Sequence, residues 1–437
     1  MTADREPILS TRRRLHGRPA ERRAVCIWLG ALASWRGGLV KKLVAECGSV
    51  GRVLDRQPAE LAALIGKQGS AGREKQSGSA PLEGRPESER QRESAERTRE
   101  EARFAAVLAQ DPAACAESLD RGPGTAVIAW CDPIYPPALR QLADAPLCLF
   151  VTAACPDAEL AQRLEVVCRA SAVAVVGTRT PSPYGQEMAA ALGRDLTTRG
   201  ILVVSGLAMG IDAVAQTAAL RAAGAAGGVA TVGVLGCGAD IVYPYVNRKL
   251  YAEVAARGLL VSEFAWGVPV RKWRFPARNR VMAALSRAVV VVEGTSRSGA
   301  RLTADYALDL GREVLAVPGE AGKRLTETPH QLLRYGAPIC ESAADVVDAI
   351  ATVRLPSAAD LAGDVDPAVV ASLLEVGSDC GRQTGVLQAL GRGSMTADEV
   401  AKACGLRIHQ AGALLSELEV DGLVALHDGG IYRLRRS

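Results

Sequence analysis

The sequence predicts an α/β fold: a doubly wound parallel sheet, preceded by a small helical module and followed by a winged helix. Three observations carry that prediction. Between residues 171 and 350, short apolar runs rich in Val and Leu alternate with helical segments at regular spacing, as expected of a parallel sheet covered on both faces. Most of those runs end at Gly or Ser, where a ligand meets an open α/β sheet. Residues 383–437 read as helix, turn, helix and hairpin.

Taken in order, residues 1–23 are Arg-rich with no apolar signal-peptide core behind them, and read as a flexible basic arm. Residues 24–66 form a helical module. AVCIWLGALA and LVKKLVAECGSV carry apolar residues at helical spacing, interrupted by Gly37-Gly38 and Gly48, and AELAALIGK follows Pro58. Packing explains this module better than contact with a DNA backbone. Residues 67–103 are Gly, Ser, Pro and mixed charge, too poor in apolar groups to offset chain entropy. They read as a disordered charged insertion, with a charged helix expected near residues 90–110. TAVIAW and LCLFV are strand-like and flank the turn-forming DPIYPPALRQL.

The alternating region then places strands at 172–176, 201–204, 231–235, 259–262, 288–292 and 313–317, with helices between them, one of them starting near Asn279. Residues 104–350 are thus a Rossmann-like domain with an N-terminal extension. Residues 351–382 are a linker. In 383–437, Thr396 stands at an N-cap with Glu399 three residues on, a second helix spans about 409–418, and Asp428-Gly429-Gly430 turns a hairpin.

Composition excludes several classes. The net charge is only +4, so any claim on nucleic acid must rest on a local patch. The 11 cysteines form no CxxC pair, and the four histidines no ligand pair; this speaks for a reducing cytosol and against a disulfide framework or a metal site. No apolar run approaches the length of a membrane span.

The strand ends carry Gly177-Thr178-Arg179, the loop Ser205 to Gly210, Gly236-Cys237-Gly238 and Ser262-Glu263. Glycines before helix starts favour phosphate. GTRTPSPYG is no dinucleotide fingerprint and no P-loop is present, so neither NAD nor ATP is expected and no cofactor is assigned. Arg179, Arg248 and Lys249, and the cluster RKWRFPARNR (271–280), with Lys272, Arg274, Arg278 and Arg280, suit a polymer better. On one face they would make a phosphate rail, with Trp273 and Phe275 free to stack on bases. Charges spread over a solvated loop, with the two aromatics as packing anchors, are the alternative.

Residues 171–350 resemble the DNA-processing protein A family (DprA, also called Smf). The motifs are VAVVGTR, VVSGLAMGID, VLGCGADIVYPYVN, SEF, FPARNRVMAALS, VVVVEGTSRSGARLTA and GREVLAVPG, with CDPIYPPAL upstream. The resemblance implies a cytoplasmic, homodimeric, non-enzymatic protein. It would bind single-stranded DNA and load a RecA-type recombinase during natural transformation. It also implies a DNA face of Arg179, Ser205, Gly206, Lys249, Arg278, Asn279 and Arg280. The chain departs from the family pattern at Met209, where Arg is common, and at Thr328-Pro329-His330, where GTN is expected, so weaker affinity is anticipated.

Two other functions fit the residues. Glu263 and Glu293, among the strand-end carboxylates with Asp212 and Asp240, could pair in a hydrolase akin to phosphoribohydrolases, although the PGGxGT loop of those enzymes is missing. Residues 383–437, with Arg407, Arg433, Arg435 and Arg436, could serve a transcription regulator or a protein-interaction module.

Overall fold

The structure is a computed structural model. It describes residues 18–36, 39–48, 50–54, 56–65, 87–223, 229–351 and 353, and, towards the C-terminus, 386–387, 389–391, 393–406, 411–412, 414–415, 418–419, 424–427 and 431–434. The chain divides into two units, residues 1–42 with 103–363 and residues 43–102 with 364–437.

Eight strands build the sheet of the first unit: β1 (Thr125–Ala129), β2 (Cys148–Thr152), β3 (Ala172–Val176), β4 (Leu202–Ser205), β5 (Thr231–Leu235), β6 (Leu259–Ser262), β7 (Ala288–Val291) and β8 (Glu313–Ala316). Their order is β1-β2-β6-β5-β4-β3-β7-β8. The six strands from β6 to β8 run parallel, with Val173 opposite Val203 on one side and Ala288 on the other. The direction of winding reverses between β3 and β7. The two strands predicted upstream extend the same sheet antiparallel, β2 against β6 and β1 against β2.

Alternation along the strands explains why the runs are apolar throughout. Ala172, Ala174 and Val176 face one core, with Val281 and Leu285 of the Arg274–Leu285 helix and Ala304 of the Gly299–Asp309 helix. Val173 and Val175 face the other, with Leu192 of the Pro183–Thr198 helix and Ala215 of the Ile211–Ala222 helix. These last two helices approach so closely that a Cβ at Gly193 would meet the Ala215 carbonyl.

Three boundaries differ from expectation. Residues 18–23, expected in the basic arm, begin the Arg18–Ala33 helix, and Arg23 pairs with Asp132 at 2.8 Å. That helix, expected in a separate module, belongs to the α/β unit. Residues 25–32 are buried all round, Trp28 Nε1 donates to the Val107 carbonyl at 2.8 Å, and Gly30 rests against Cys148. The charged helix expected near residues 90–110 is present as Glu87–Leu108, and it takes residues 87–103 out of the expected disordered insertion. Their Glu, Arg, Gln and Ala residues are strong helix formers, and the helix is anchored by Phe104, 4% exposed, with the Arg36 guanidinium 3.9 Å from its ring centroid. The remaining basic arm (1–17), residues 67–86 and nearly all of the 351–382 linker lie outside the described residues.

In the second unit, helices Val50–Leu54 and 58–65 bury Val53, Leu54, Leu61 and Ile65. A three-stranded sheet of order β10-β11-β9 joins β9 (Met395–Thr396), β10 (Val424–His427) and β11 (Ile431–Leu434). The predicted capping box of Thr396 and Glu399 starts the Ala397–Cys404 helix, whose Val400 packs with Leu390, Leu414, Leu415 and Val424. The expected turn 428–430, and Arg407, Arg435 and Arg436, lie outside the described residues. No helix among the described residues is long and apolar enough to cross a membrane.

The close helix pair yields a test. Gly193→Ala should cost about 1–3 kcal/mol by overpacking. The urea midpoint should fall with an unchanged slope, and an unmoved midpoint would show that the two helices can separate freely.

Candidate nucleic-acid interface

The basic stretch 271–280 does not lie on the surface as a rail. Its helix begins at Arg274, five residues before the expected start, so Arg274, Arg278 and the apolar Val281 and Leu285 fall on one buried face. Arg274 is fully buried, donates to the carbonyls of Pro269 and Ser34, and stacks on Phe264 and Trp273. Arg280 is ion-paired with Glu263 at 2.5 Å and with Asp144 at 3.4 Å. Asn279 accepts from Arg278 Nε at 3.1 Å and donates to the Gly299 carbonyl at 3.3 Å. These side chains brace the interior and do not face solvent.

Arg278 has the central position. Its Nη1 donates to the carbonyls of Gly206, at the end of β4, and Val234, in β5. A Cβ on Gly206 would collide with the guanidinium, so the glycine makes room for Arg278. Burial lowers the Arg278 pKa and raises that of Asp212, each shift being opposed by the other's charge. Asp212 accepts from Gly206 N at 3.1 Å, Gln216 Oε1 accepts from Leu207 N at 3.1 Å, and Asn247 Nδ2 donates to the Leu207 carbonyl at 2.9 Å. The loop thus held carries Leu207 at φ 54°, the single non-glycine residue with positive φ among those described. Ser205 is also internal: its Oγ donates to the Val175 carbonyl at 2.7 Å.

The exposed cations lie around this braced loop. Arg179, after β3, lies over the Phe275 ring at 5.6 Å, and Phe275 meets Tyr243 at 5.7 Å. Arg248 lies over Tyr245 at 5.0 Å, and Lys249 follows it, also exposed. Lys272 and Trp273 are exposed at the start of the Arg274–Leu285 helix, and Met209 at the loop tip. Arg179, Phe275 and Tyr243 are therefore brought together. Tyr243 and Tyr245, absent from the sequence-level site, stand out there only as two aromatics in the loop DIVYPYVN.

The two glutamates do not form an acid–base pair. Glu293 accepts from Ser182 N at 2.9 Å and from its hydroxyl, while Glu263 is bound to Arg280. Burial pushes the Glu263 carboxyl up to about 7, against the pull of Arg280 and with a smaller push from Asp144. The departure at 328–330 has a local answer. Thr328 Oγ1 donates to the Thr295 carbonyl, and His330 Nε2 lies 3.0 Å from the Gly319 carbonyl, so both pin backbone.

Fold and site define a class: a Rossmann-like protein without a dinucleotide fingerprint, carrying a basic and aromatic rim at its strand ends and a winged helix at its C-terminus. The family model described as DNA recombination-mediator protein A matches residues 126–351, and that of the DprA winged helix domain residues 381–430. The chain belongs to the DNA recombination-mediator protein A family. It is 43% identical over 267 residues to the putative DNA processing protein DprA of Mycobacterium tuberculosis (strain ATCC 25618 / H37Rv), covering 61% of this chain and 65% of that relative's length. Protein Smf of Escherichia coli (strain K12) is 34% identical over 312 residues, covering 69% of this chain and 76% of the relative. The X-ray structure of DNA processing protein A from Streptococcus pneumoniae superposes with a TM-score of 0.55 at 25% identity, covering 78% of this chain and all of that one.

The buried ion pair predicts a pH dependence. Because the folded-state pKa of Glu263 lies above its ordinary value of 4.5, its contribution is fully present below about 4.5 and is lost as pH rises through about 7. Glu263→Gln should flatten the fall of unfolding free energy across that window. An unchanged slope would show that Glu263 is ionised throughout it.

Proposed function

We propose that the chain is a cytoplasmic, homodimeric mediator that coats single-stranded DNA without turnover and passes it to a RecA-type recombinase during natural transformation. The observation that carries this reading is the exposed rim of Arg179, Tyr243, Tyr245, Arg248 and Lys249 beside the braced loop, with half-buried Phe275 between Arg179 and Tyr243, and Lys272 and Trp273 at the helix start. Cations for the backbone and aromatic faces for the bases are what sequence-tolerant single-strand binding requires. Membership of a recombination-mediator family supports the same reading. In it, Arg179, Arg248, Lys249 and Lys272 touch phosphates, and the loop 205–210 offers backbone. Arg274, Arg278, Asn279 and Arg280 act from beneath. Homodimer formation is supported by exposed apolar residues at the outer end of the sheet, Tyr335 (60%) and Ile339 (54%), the latter bridged to Ala316 of β8.

A salt titration on a labelled oligonucleotide tests the rim. For each phosphate the protein no longer neutralises, the slope of log K against log salt becomes shallower by about 0.7. Arg179→Ala with Lys249→Ala should therefore weaken binding on any sequence and flatten the slope by about 1.4. Deleting residues 383–437 should leave most of the affinity. If the truncation abolishes binding while the double variant keeps the wild-type slope, the winged helix is the binding domain. Sedimentation of the intact chain as a monomer at micromolar concentration would remove the homodimer, and failure to speed recombinase assembly on coated single strands would remove the mediator role.

A further inference from the structure

Glu293 is 3% exposed, at the end of β7, where the sheet's winding reverses. In open α/β sheets that crevice takes the ligand, and its phosphate lies at the amino end of the adjoining helix. Here the adjoining helix is Pro183–Thr198, and a carboxylate occupies its amino end. Glu293 Oε2 accepts from Ser182 N at 2.9 Å and Oε1 from Ser182 Oγ, while Ser182 Oγ accepts from Gly185 N at 3.1 Å. A Cβ at Gly185 would fall on the carboxylate, so the helix is shaped to receive it. The Glu293 carbonyl also accepts from Thr178 N at 2.8 Å. One residue thereby holds both ends of the loop that displays Arg179.

We infer that Glu293 is a built-in anion: its carboxylate takes the place that a nucleotide phosphate takes at this crevice, and it acts as a positioning residue for Arg179. This role for Arg179 rests on the function proposed above; the substitution of carboxylate for phosphate does not. The inference accounts for a nucleotide-type topology with no nucleotide fingerprint. The crevice is filled from within, and the surface beside it is left for a polymer.

Rescue by an added anion tests the idea. In chloride, Glu293→Ala should melt about 5 °C below wild type, as expected for loss of buried charge-assisted hydrogen bonds in a domain of this size. Inorganic phosphate, compared with chloride at equal ionic strength, should raise the melting temperature of Glu293→Ala by several degrees more than that of wild type. Equal responses would overturn the inference. Gly185→Ala, which leaves the carboxylate intact but displaces it, is the second variant and serves if Glu293→Ala does not fold. It should lower both melting temperature and, in chloride, single-strand affinity, the latter about five-fold, equivalent to about a third to two-thirds of one charge-assisted hydrogen bond. Wild-type values for both would also overturn the inference. A wild type that fails to bind single strands would sink the proposed function alone, since the phosphate comparison reads melting and involves no DNA.

Discussion

The strand-end surface depends on one buried guanidinium. Arg278 ties the Gly206 carbonyl to that of Val234 beside the Asp212 carboxylate, and the loop between Ser205 and Gly210 has its shape because that cation is underneath. A buried charge is costly unless paired and hydrogen-bonded, and removing one partner strands the other. Without Arg278, Asp212 would lose the charge that opposes the cost of its burial, and the Gly206 and Val234 carbonyls would each lose a donor. The same logic runs along the helix. Arg274 holds the Ser34 and Pro269 carbonyls, and Arg280 holds Glu263 and Asp144. Three arginines on one helix thus tie down Ser34, Asp144, the loop 205–210 and the stretch 263–269.

Under the proposed function, this division of labour separates rigidity from recognition. The interior arginines fix where backbone and aromatic rings sit, and a second set, Arg179, Arg248, Lys249 and Lys272, remains exposed. Preorganised groups lose less entropy when a flexible polymer settles on them. Arg179 and Arg248 are themselves steadied over Phe275 and Tyr245, so their charges are presented on partly fixed side chains.

Most of the fold is legible in the sequence because a parallel sheet leaves a strong trace: apolar runs buried on both faces, punctuated by glycine. The runs at 172–176, 231–235 and 259–262 coincide with β3, β5 and β6 to the residue. The N-terminal helix reads as part of a separate module, although AVCIWLGALA lacks a polar face and so signals burial. For the candidate site, the strand ends at which its loops gather are legible, but which of its side chains are buried is not. Charge in a sequence does not say which way a side chain points. The spacing of Arg274, Arg278, Val281 and Leu285 carries the missing information, because residues at helical spacing on an apolar stripe are inside. Pro276 obscures it by suggesting a loop, yet proline is well tolerated in a first helical turn.

Whether Arg278 works from within is settled most directly by amide hydrogen exchange of Gly206 and Leu207, which donate to Asp212 and Gln216. The comparison is wild type against Arg278→Lys, with no DNA present. We expect both amides to lose protection in the variant while the core of β5 keeps its own, because the lysine ammonium ends one bond short of the Nη1 that holds both carbonyls and cannot replace the Nε bond to Asn279. If both amides exchange as in wild type while single-strand affinity falls, Arg278 contacts DNA itself and the interior brace is not what shapes the surface.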